Sequence, residues 1–284
     1  MPLRFLVALP VFLSVACGSS GGGGGRDAAV DADTDAADTG GPDAGDAAVD
    51  AADEAVDLSG ESACCVGVAS ASNEGIRVVY VGLDSGRVRL GAGIDGSAVT
   101  GVASSIAFVG GELYFCESGE AADEVLRVSV ASGDVTSTGA ECVAVTGDGT
   151  RLLVLTEDEI VRAYANEGDL IAGDEAATYE PGGLFSRIAA TDTELLTAWH
   201  STDAVARGPF AGPFEAVTLD GYDGAINGLD LLDDGRLVVA ADIESGVLLF
   251  DGESGELLSS VVPVDEVLIR AIDCGSGPTY CPGP

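Results

Sequence analysis

The chain contains 284 residues, of which 48 are acidic and 12 are basic, so its formal net charge is −36. Every basic residue is an arginine. Nucleic-acid binding needs cationic side chains that neutralise phosphates, so this composition excludes a nucleic-acid partner. It also disfavours direct contact with an anionic lipid surface.

The first sixteen residues predict an export signal. The apolar run 5–15 is too short to span a bilayer permanently. Residues 13–17 read LSVAC, which resembles the lipobox of bacterial lipoproteins, although Ser14 stands where leucine is usual. The resemblance implies that residues 1–16 are removed and that Cys17 is acylated. Gly18 implies sorting to the outer membrane, on its periplasmic or cell-surface side. The alternative is an ordinary secretory signal that leaves the same cysteine as a free thiol.

Residues 17–61 predict a disordered tether that follows the lipidated cysteine. The segment is rich in glycine, alanine and aspartate and has almost no large apolar side chain, so it has nothing to bury, and its like charges repel. The acidic repeat at 31–35 hints at calcium. It lacks the glycine and the glutamate that an EF-hand loop needs at positions six and twelve, so a solvated spacer is the favoured interpretation.

Four similar polar turns recur in the remaining chain, residues 62–284. The turns read DSGR at 84–87, ASGD at 131–134, NEGD at 166–169 and ESGE at 253–256. Glycine supplies the positive φ that a hairpin turn requires. Recurrence about every 40 residues is typical of a propeller built from small sheets, so the fold class predicted is all-β.

The two ends of this region predict how the propeller closes. Val66–Ser70, Ile76–Val81 and Val88–Leu90 match the second, third and fourth strands of the other groups, and no first strand precedes them. Val267–Asp273 resembles a first strand with no group after it. Pairing of the terminal strands would close five blades and remove an open edge. Six blades remain possible if 62–102 forms a blade alone. In the third group, Leu170–Ala172 is expected to be the fourth strand.

The repeated Ser-Gly or Glu-Gly turns and the apolar strands resemble the YVTN and WD-repeat class of bacterial propellers, over about residues 64–275. The Gly-His and Trp-Asp signature of WD repeats is absent. The resemblance therefore implies a fold and carries little information on function.

Six cysteines remain if Cys17 is lipidated, and an exported domain favours disulfides. Ring closure predicts that Cys64 and Cys65 pair with Cys274 and Cys281, in an order that stays open. The remaining two, Cys116 and Cys142, are expected to pair with each other. A metal site is the alternative, but these spacings do not match zinc ligand patterns.

The candidate pocket combines the sole tryptophan and histidine with nearby carboxylates: Trp199, His200, Asp203 and Asp242. Weak candidates for a calcium site on the same face are Glu117, Glu157, Asp158 and Asp242, with Asp95, Glu141, Asp223 and Asp265 from neighbouring connections. Oxygen ligands of this kind suit calcium. The G-x-G-x-x-G match at 91–96 has no helix after it and predicts an inter-blade loop. No residue is assigned a catalytic role.

These observations predict a membrane-anchored extracytoplasmic lipoprotein. Its propeller would be a non-catalytic, monomeric binding or scaffolding module for a protein, glycan or small molecule, without an obligatory cofactor. The alternative is a calcium-dependent hydrolase or lactonase with an acidic site at the channel mouth, as the use of a metal by gluconolactonase-type propellers implies.

Overall fold

The computed structural model describes residues 56–71, 75–94, 102–118, 123–182, 185–199, 204–241, 246–261 and 267–283. The predicted signal peptide, Cys17 and most of the tether lie outside these residues. No helix in the described ranges is long and apolar enough to cross a membrane.

The described strands form five antiparallel sheets of four strands, which are the blades of a propeller. Blade 1 contains β1 (Cys64–Ala71), β2 (Gly75–Gly82) and β3 (Val88–Ile94). Blade 2 contains β4 (Val102–Val109), β5 (Glu112–Ser118), β6 (Glu124–Ser129) and β7 (Val135–Glu141). Blade 3 contains β8 (Ala144–Gly147), β9 (Leu152–Leu155), β10 (Val161–Tyr164), a short helix α1 (Glu167–Ala172) and β11 (Ala177–Tyr179). Blade 4 contains β12 (Arg187–Ala190), β13 (Glu194–Ala198), β14 (Ala204–Pro209) and β15 (Glu215–Thr218). Blade 5 contains β16 (Ile226–Leu231), β17 (Arg236–Ala241), β18 (Val247–Asp251) and β19 (Leu257–Val261).

The last strand, β20 (Val267–Gly275), completes blade 1 by pairing antiparallel with β1. Cys65 lies opposite Cys274, and Ala71 lies opposite Val267. The same strand contacts β4 and β16, the first strands of the neighbouring blades. The prediction of five blades closed by the terminal strands is therefore confirmed, and the six-blade alternative is wrong.

The five first strands, β4, β8, β12, β16 and β20, contact one another in a ring and form the inner layer. We call the end of the propeller where these strands begin the upper face, which includes Val143, Ser186 and Trp199. The lower face is the opposite end, where the described chain begins at Val56 and ends at Gly283. Leu58 N donates a hydrogen bond to Pro282 O at 3.1 Å and so joins the first and last described segments there.

The hydrophobic core is divided into five clusters, one for each seam between neighbouring blades. Each sheet therefore has two buried faces, and its inner strands are apolar at consecutive positions rather than at alternate ones. β9, for example, has the sequence LLVL and is buried at every position. This arrangement explains why the strands of the sequence read as short continuous apolar runs.

Three of the four predicted glycine turns are confirmed, because Gly86, Gly133 and Gly255 have φ values of 72°, 77° and 75°. Two of these glycines also make close inter-blade contacts. A Cβ atom at Gly133 would lie 1.9 Å from Gly93 O of blade 1, and one at Gly255 would lie 1.9 Å from Thr218 O of blade 4. The recurring turn thus joins blades as well as strands.

The prediction of a hairpin at 166–169 followed by a strand at Leu170–Ala172 is wrong. Asn166 caps α1, because its side chain accepts a hydrogen bond from Asp169 N at 3.1 Å. Gly173 ends the helix in the left-handed conformation. A polar turn and a helix N-cap use the same residue types, and here burial of Leu170 between blades 2 and 3 favours the helix. The fourth strand of the blade is β11 instead.

Three disulfides join the cysteines as the sequence predicted, and the structure fixes their order. Cys64 bonds to Cys281 and Cys65 bonds to Cys274, with Cα separations of 5.4 and 3.9 Å. We call these two the ring-closing disulfides. The third joins Cys116 to Cys142 across the seam between blades 2 and 3.

Candidate functional site

The described residues of the predicted site lie on the upper face. Trp199 directly follows β13 and is 45% exposed. Glu117 lies near the end of β5 and is buried, whereas Glu157 and Asp158 belong to the connection between β9 and β10. His200, Asp203 and Asp242 lie outside the described residues, as do Asp95 and Asp265. The proposed pocket is therefore represented here only by Trp199.

The carboxylates predicted to bind calcium are in part engaged with other groups. Asp158 forms an ion pair with Arg162 at 2.6 Å and accepts a hydrogen bond from the Thr156 hydroxyl. These contacts hold the pKa of Asp158 below its ordinary value, with the hydroxyl contact as the largest cause. Across the described ranges, no group of three or more histidine, cysteine, aspartate or glutamate side chains is arranged to hold a metal ion. The calcium site stays a prediction, because Asp242 lies outside those ranges.

An open groove of about 570 Å³ lies between blades 2 and 3 at the upper face. Arg162 lies within it and is also hydrogen bonded to Glu175. Its other lining residues include Glu141, Glu157, Asp158 and the exposed Ile171. The arrangement offers carboxylates, one shared guanidinium and an apolar side chain, which suits polar recognition. The groove unites Glu141, Glu157 and Asp158 of the predicted set.

The lower face uses its carboxylates differently, because several of them cap turns. Asp84 accepts from Ser62 N, and Asp251 accepts from Ser254 N at 2.8 Å. Asp148 accepts from the backbone N–H groups of Thr150 and Arg151 at 3.0 and 2.7 Å. Hydrogen bonds from backbone N–H groups hold the pKa values of Asp84 and Asp251 below the ordinary value. These acidic residues stabilise the fold, which gives part of the large negative charge a structural purpose.

Two buried aspartates lie side by side at the lower end of the inner layer. Asp230 belongs to β16 and Asp273 belongs to β20, and each is 6% exposed. Asp273 accepts hydrogen bonds from Phe108 N at 2.9 Å and from the Tyr280 hydroxyl at 2.7 Å. Asp230 accepts from Leu231 N at 2.7 Å and from Cys274 N. The C-terminal segment covers this pair, with the Tyr280 ring packed edge-on against Phe108 at 5.1 Å.

Burial dominates the electrostatics of this pair. It raises the pKa of Asp273 to about 7, against the lowering effect of the hydrogen bonds from Tyr280 and Phe108 N. Burial also raises the pKa of Asp230 well above its ordinary value, and the neighbouring Asp273 charge raises it further. Burial and the neighbouring charge therefore favour the protonated form of these carboxyl groups. The sequence offered one signal for them, a single carboxylate within a strand of mainly apolar residues.

A buried arginine at the upper end of the inner layer was also missed by the sequence reasoning. Arg187 begins β12, and only 9% of its surface is exposed. Its Nε donates to Asn227 O of blade 5 at 2.7 Å, and its Nη1 donates to Ser186 O at 2.7 Å. Burial lowers the pKa of Arg187 to about 10, so the guanidinium is still charged at neutral pH. Its cross-strand partner is Ala198, the residue before Trp199, which places both residues at one end of blade 4.

No protein-family model and no curated protein sequence matches this chain. Among solved structures, the chain is similar to the glutaminyl cyclase of Myxococcus xanthus, with 14% identity and a TM-score of 0.45, over 58% of this chain and 72% of that one. It is also similar to a chain of a nidogen/laminin complex, with 12% identity and a TM-score of 0.47, over 75% of this chain and 98% of that one. The five-bladed fold itself is defined by the strand order described above.

Proposed function

We propose that the protein is an exported lipoprotein, anchored through Cys17, whose propeller is a non-catalytic binding module for a protein, glycan or small molecule. The observation that carries the proposal is the division of the propeller into two unlike faces. On the lower face the C-terminal segment is held by disulfide bonding to Cys281 and covers the buried aspartates, and carboxylates cap turns. The upper face carries an exposed aromatic ring and the groove between blades 2 and 3.

Two further observations support an extracytoplasmic recognition role. The three disulfides indicate an oxidising compartment outside the cytoplasm. The described chain starts at Val56 on the lower face, at the end of the propeller opposite the exposed Trp199. Rigid, covalently closed scaffolds favour binding because little conformational entropy is lost when the ligand docks.

Lipid anchoring is tested by metabolic labelling with a fatty-acid analogue in a bacterial host. We expect the full chain to be labelled and to sediment with membranes, and the Cys17→Ser variant to lose the label and become soluble. Two acyl chains account for stable anchoring, because each buried CH₂ contributes about 0.8 kcal/mol. Label retained in Cys17→Ser would show that the acylation assignment is wrong.

The non-catalytic role is tested against the calcium-dependent alternative. We expect the melting temperature of the mature protein to be the same in millimolar calcium and in EDTA, and lactone substrates to be hydrolysed at the uncatalysed rate. A ligand that binds only the folded state must raise the melting temperature. A calcium-dependent shift together with lactone turnover would replace the binding proposal with the hydrolase.

A further inference from the structure

The contacts of Arg187 are unusual for a buried cation. The two acceptors of its guanidinium, Asn227 O and Ser186 O, are neutral backbone carbonyls. Within the part of the chain that the structure describes, no carboxylate forms an ion pair with it, and its Nη2 group has no hydrogen-bond partner. A buried charge without a counter-ion carries a large desolvation cost. Among the described residues, the guanidinium therefore has no negative charge to balance it.

The other arginines of the described chain show that this protein does supply counter-ions. Five of them contact a carboxylate at 2.6–2.8 Å: Arg127, Arg151, Arg162, Arg207 and Arg236. The side chains of these five are 20–36% exposed, so water already stabilises them in part. Arg187 is more deeply buried than any of them and would gain more from an anion, because Coulomb attraction strengthens as the local dielectric constant falls.

We propose that Arg187 is the anchoring residue of an anion-binding site on the upper face, and that its ligand carries a carboxylate. The proposal deepens the proposed binding function by naming a ligand class and rests on it to that extent. A guanidinium presents planar N–H donors that match a carboxylate, and Nη2 offers two of them. A monovalent carboxylate suits a chain of net charge −36 better than a phosphate dianion, because the surrounding field repels the dianion more strongly.

The location of Arg187 fits a ligand site. It lies at the start of an inner strand, at the seam between blades 4 and 5, and at the end of the propeller opposite the C-terminal segment. Its cross-strand neighbour leads directly into the exposed Trp199. A ligand whose carboxylate reaches the guanidinium would extend outward at the same end of blade 4 that carries this aromatic ring.

The test uses acetate as the probe and the mature, disulfide-bonded protein. Thermal unfolding is followed at pH 7 and constant ionic strength while sodium acetate replaces sodium chloride. We expect a saturable rise in melting temperature with acetate. At ten times the dissociation constant, the unfolding equilibrium constant should fall about elevenfold. The Arg187→Met variant should lose the acetate response. The matched control Arg207→Met, which removes an arginine that is paired with Glu194, should keep it.

A second measurement keeps the proposal falsifiable if Arg187→Met does not fold. Carboxyl-labelled ¹³C-acetate should show saturable line broadening with the wild-type protein, and Arg187→Lys should weaken binding at least tenfold because the planar fork is lost. Absence of broadening with the wild type would overturn the proposal. Equal responses to acetate, chloride and phosphate would overturn the carboxylate class.

The counter-ion could also come from this chain, and the experiment separates that outcome. Asp203 and Asp242 lie outside the described residues and follow the second strands of blades 4 and 5 in the sequence. If Asp203→Asn or Asp242→Asn creates an acetate response that the wild type lacks, the charge is neutralised internally and the proposed site is refuted. Either negative result would leave the labelling of Cys17 unaffected, so failure of this site is distinguishable from failure of the anchoring proposal.

Discussion

Substitution of Asp273 by asparagine should change how the stability of the propeller depends on pH. Burial raises the pKa of Asp273 from the ordinary value of 3.8 to about 7 in the folded protein. The protonated form is therefore favoured by folding, and its stabilising effect is fully present below about pH 3.8. It is lost progressively as the pH rises through about 7. Each tenfold change in proton affinity corresponds to about 1.4 kcal/mol, so the loss from this carboxyl is of order 4 kcal/mol.

The asparagine variant suits the site because it can keep both hydrogen bonds. Its Oδ1 can accept from Phe108 N, and its Nδ2 can donate to the oxygen of the Tyr280 hydroxyl, which rotates to point its own hydrogen away. The charge is removed, and with it the repulsion that raises the pKa of Asp230. We expect the stability of Asp273→Asn relative to the wild type to increase from pH 5 to pH 8, because the wild type loses stability over that range and the variant has no carboxyl to titrate there.

Chemical denaturation at pH 5, 6, 7 and 8, at constant ionic strength and with the disulfides intact, measures the effect. The control is Asp251→Asn, because backbone hydrogen bonds from Ser254 lower the pKa of Asp251 and give the opposite sign. That carboxylate stabilises the fold above its unfolded pKa, and its contribution disappears as the pH falls through the folded value. A wild type as stable at pH 8 as at pH 5, or an unchanged pH profile in Asp273→Asn, would refute the reasoning.

Three further sets of variants test the fold. Gly255→Ala should destabilise the protein by several kcal/mol, because it combines a positive φ with a Cβ that would lie 1.9 Å from Thr218 O. Gly235 has a similar φ of 87°, but a Cβ atom there would lie in open space. Urea titration of Gly235→Ala should therefore show a loss of stability of only about 1–2 kcal/mol. Equal losses in the Gly255→Ala and Gly235→Ala variants would contradict the close-contact argument. Removal of either ring-closing disulfide alone should cost little stability, because the two disulfides enclose almost the same loop, of 217 and 209 residues. Removal of both should lower the free energy of unfolding by about 5 kcal/mol in the chain-entropy treatment. Additive losses of stability from the two single removals would contradict this expectation. Asn166→Ala should lower stability by about 1 kcal/mol through loss of the helix cap, and Asn166→Asp should restore it; if alanine is neutral, the capping bond is unimportant.

The sequence predicted features that depend on the closure of the ring, and it failed where distant contacts decide the local structure. Pairing of the terminal strands was predictable because one first strand was missing and one was left over. Closure in turn placed the ring-closing cysteines near one another. The order of those disulfides depends on strand register, which puts Cys65 opposite Cys274, and on the path by which Cys281 returns to Cys64. Neither is visible in residue types.

The helix α1 and the aspartate pair illustrate the same limit. The polar turn at 166–169 is compatible with both a hairpin and a helix cap, and packing of Leu170 against blade 2 decides between them. Asp230 and Asp273 are each the single carboxylate of a mainly apolar strand, but they lie 43 residues apart in the sequence. Their shared environment is created only when blades 5 and 1 meet.

The buried polar groups of the inner layer share one physical cause. The first strands of neighbouring blades belong to different sheets, so their backbones do not form ladders with one another. Side chains bridge these seams instead: Asp273 contacts Phe108 N, Ser105 contacts Val145 N at 2.6 Å, Arg187 contacts Asn227 O, and Asp230 contacts Cys274 N.

A neutral hydroxyl bridges a seam without bringing a charge that must be compensated. Ionised groups in the same position carry charge into the interior, and each needs a proton or a counter-ion to balance it. An aspartate with a raised pKa can meet that need by binding a proton, but a guanidinium cannot release one at neutral pH. The same bridging architecture therefore leads to a pH-dependent seam between blades 5 and 1 and to a demand for an anion at the seam between blades 4 and 5.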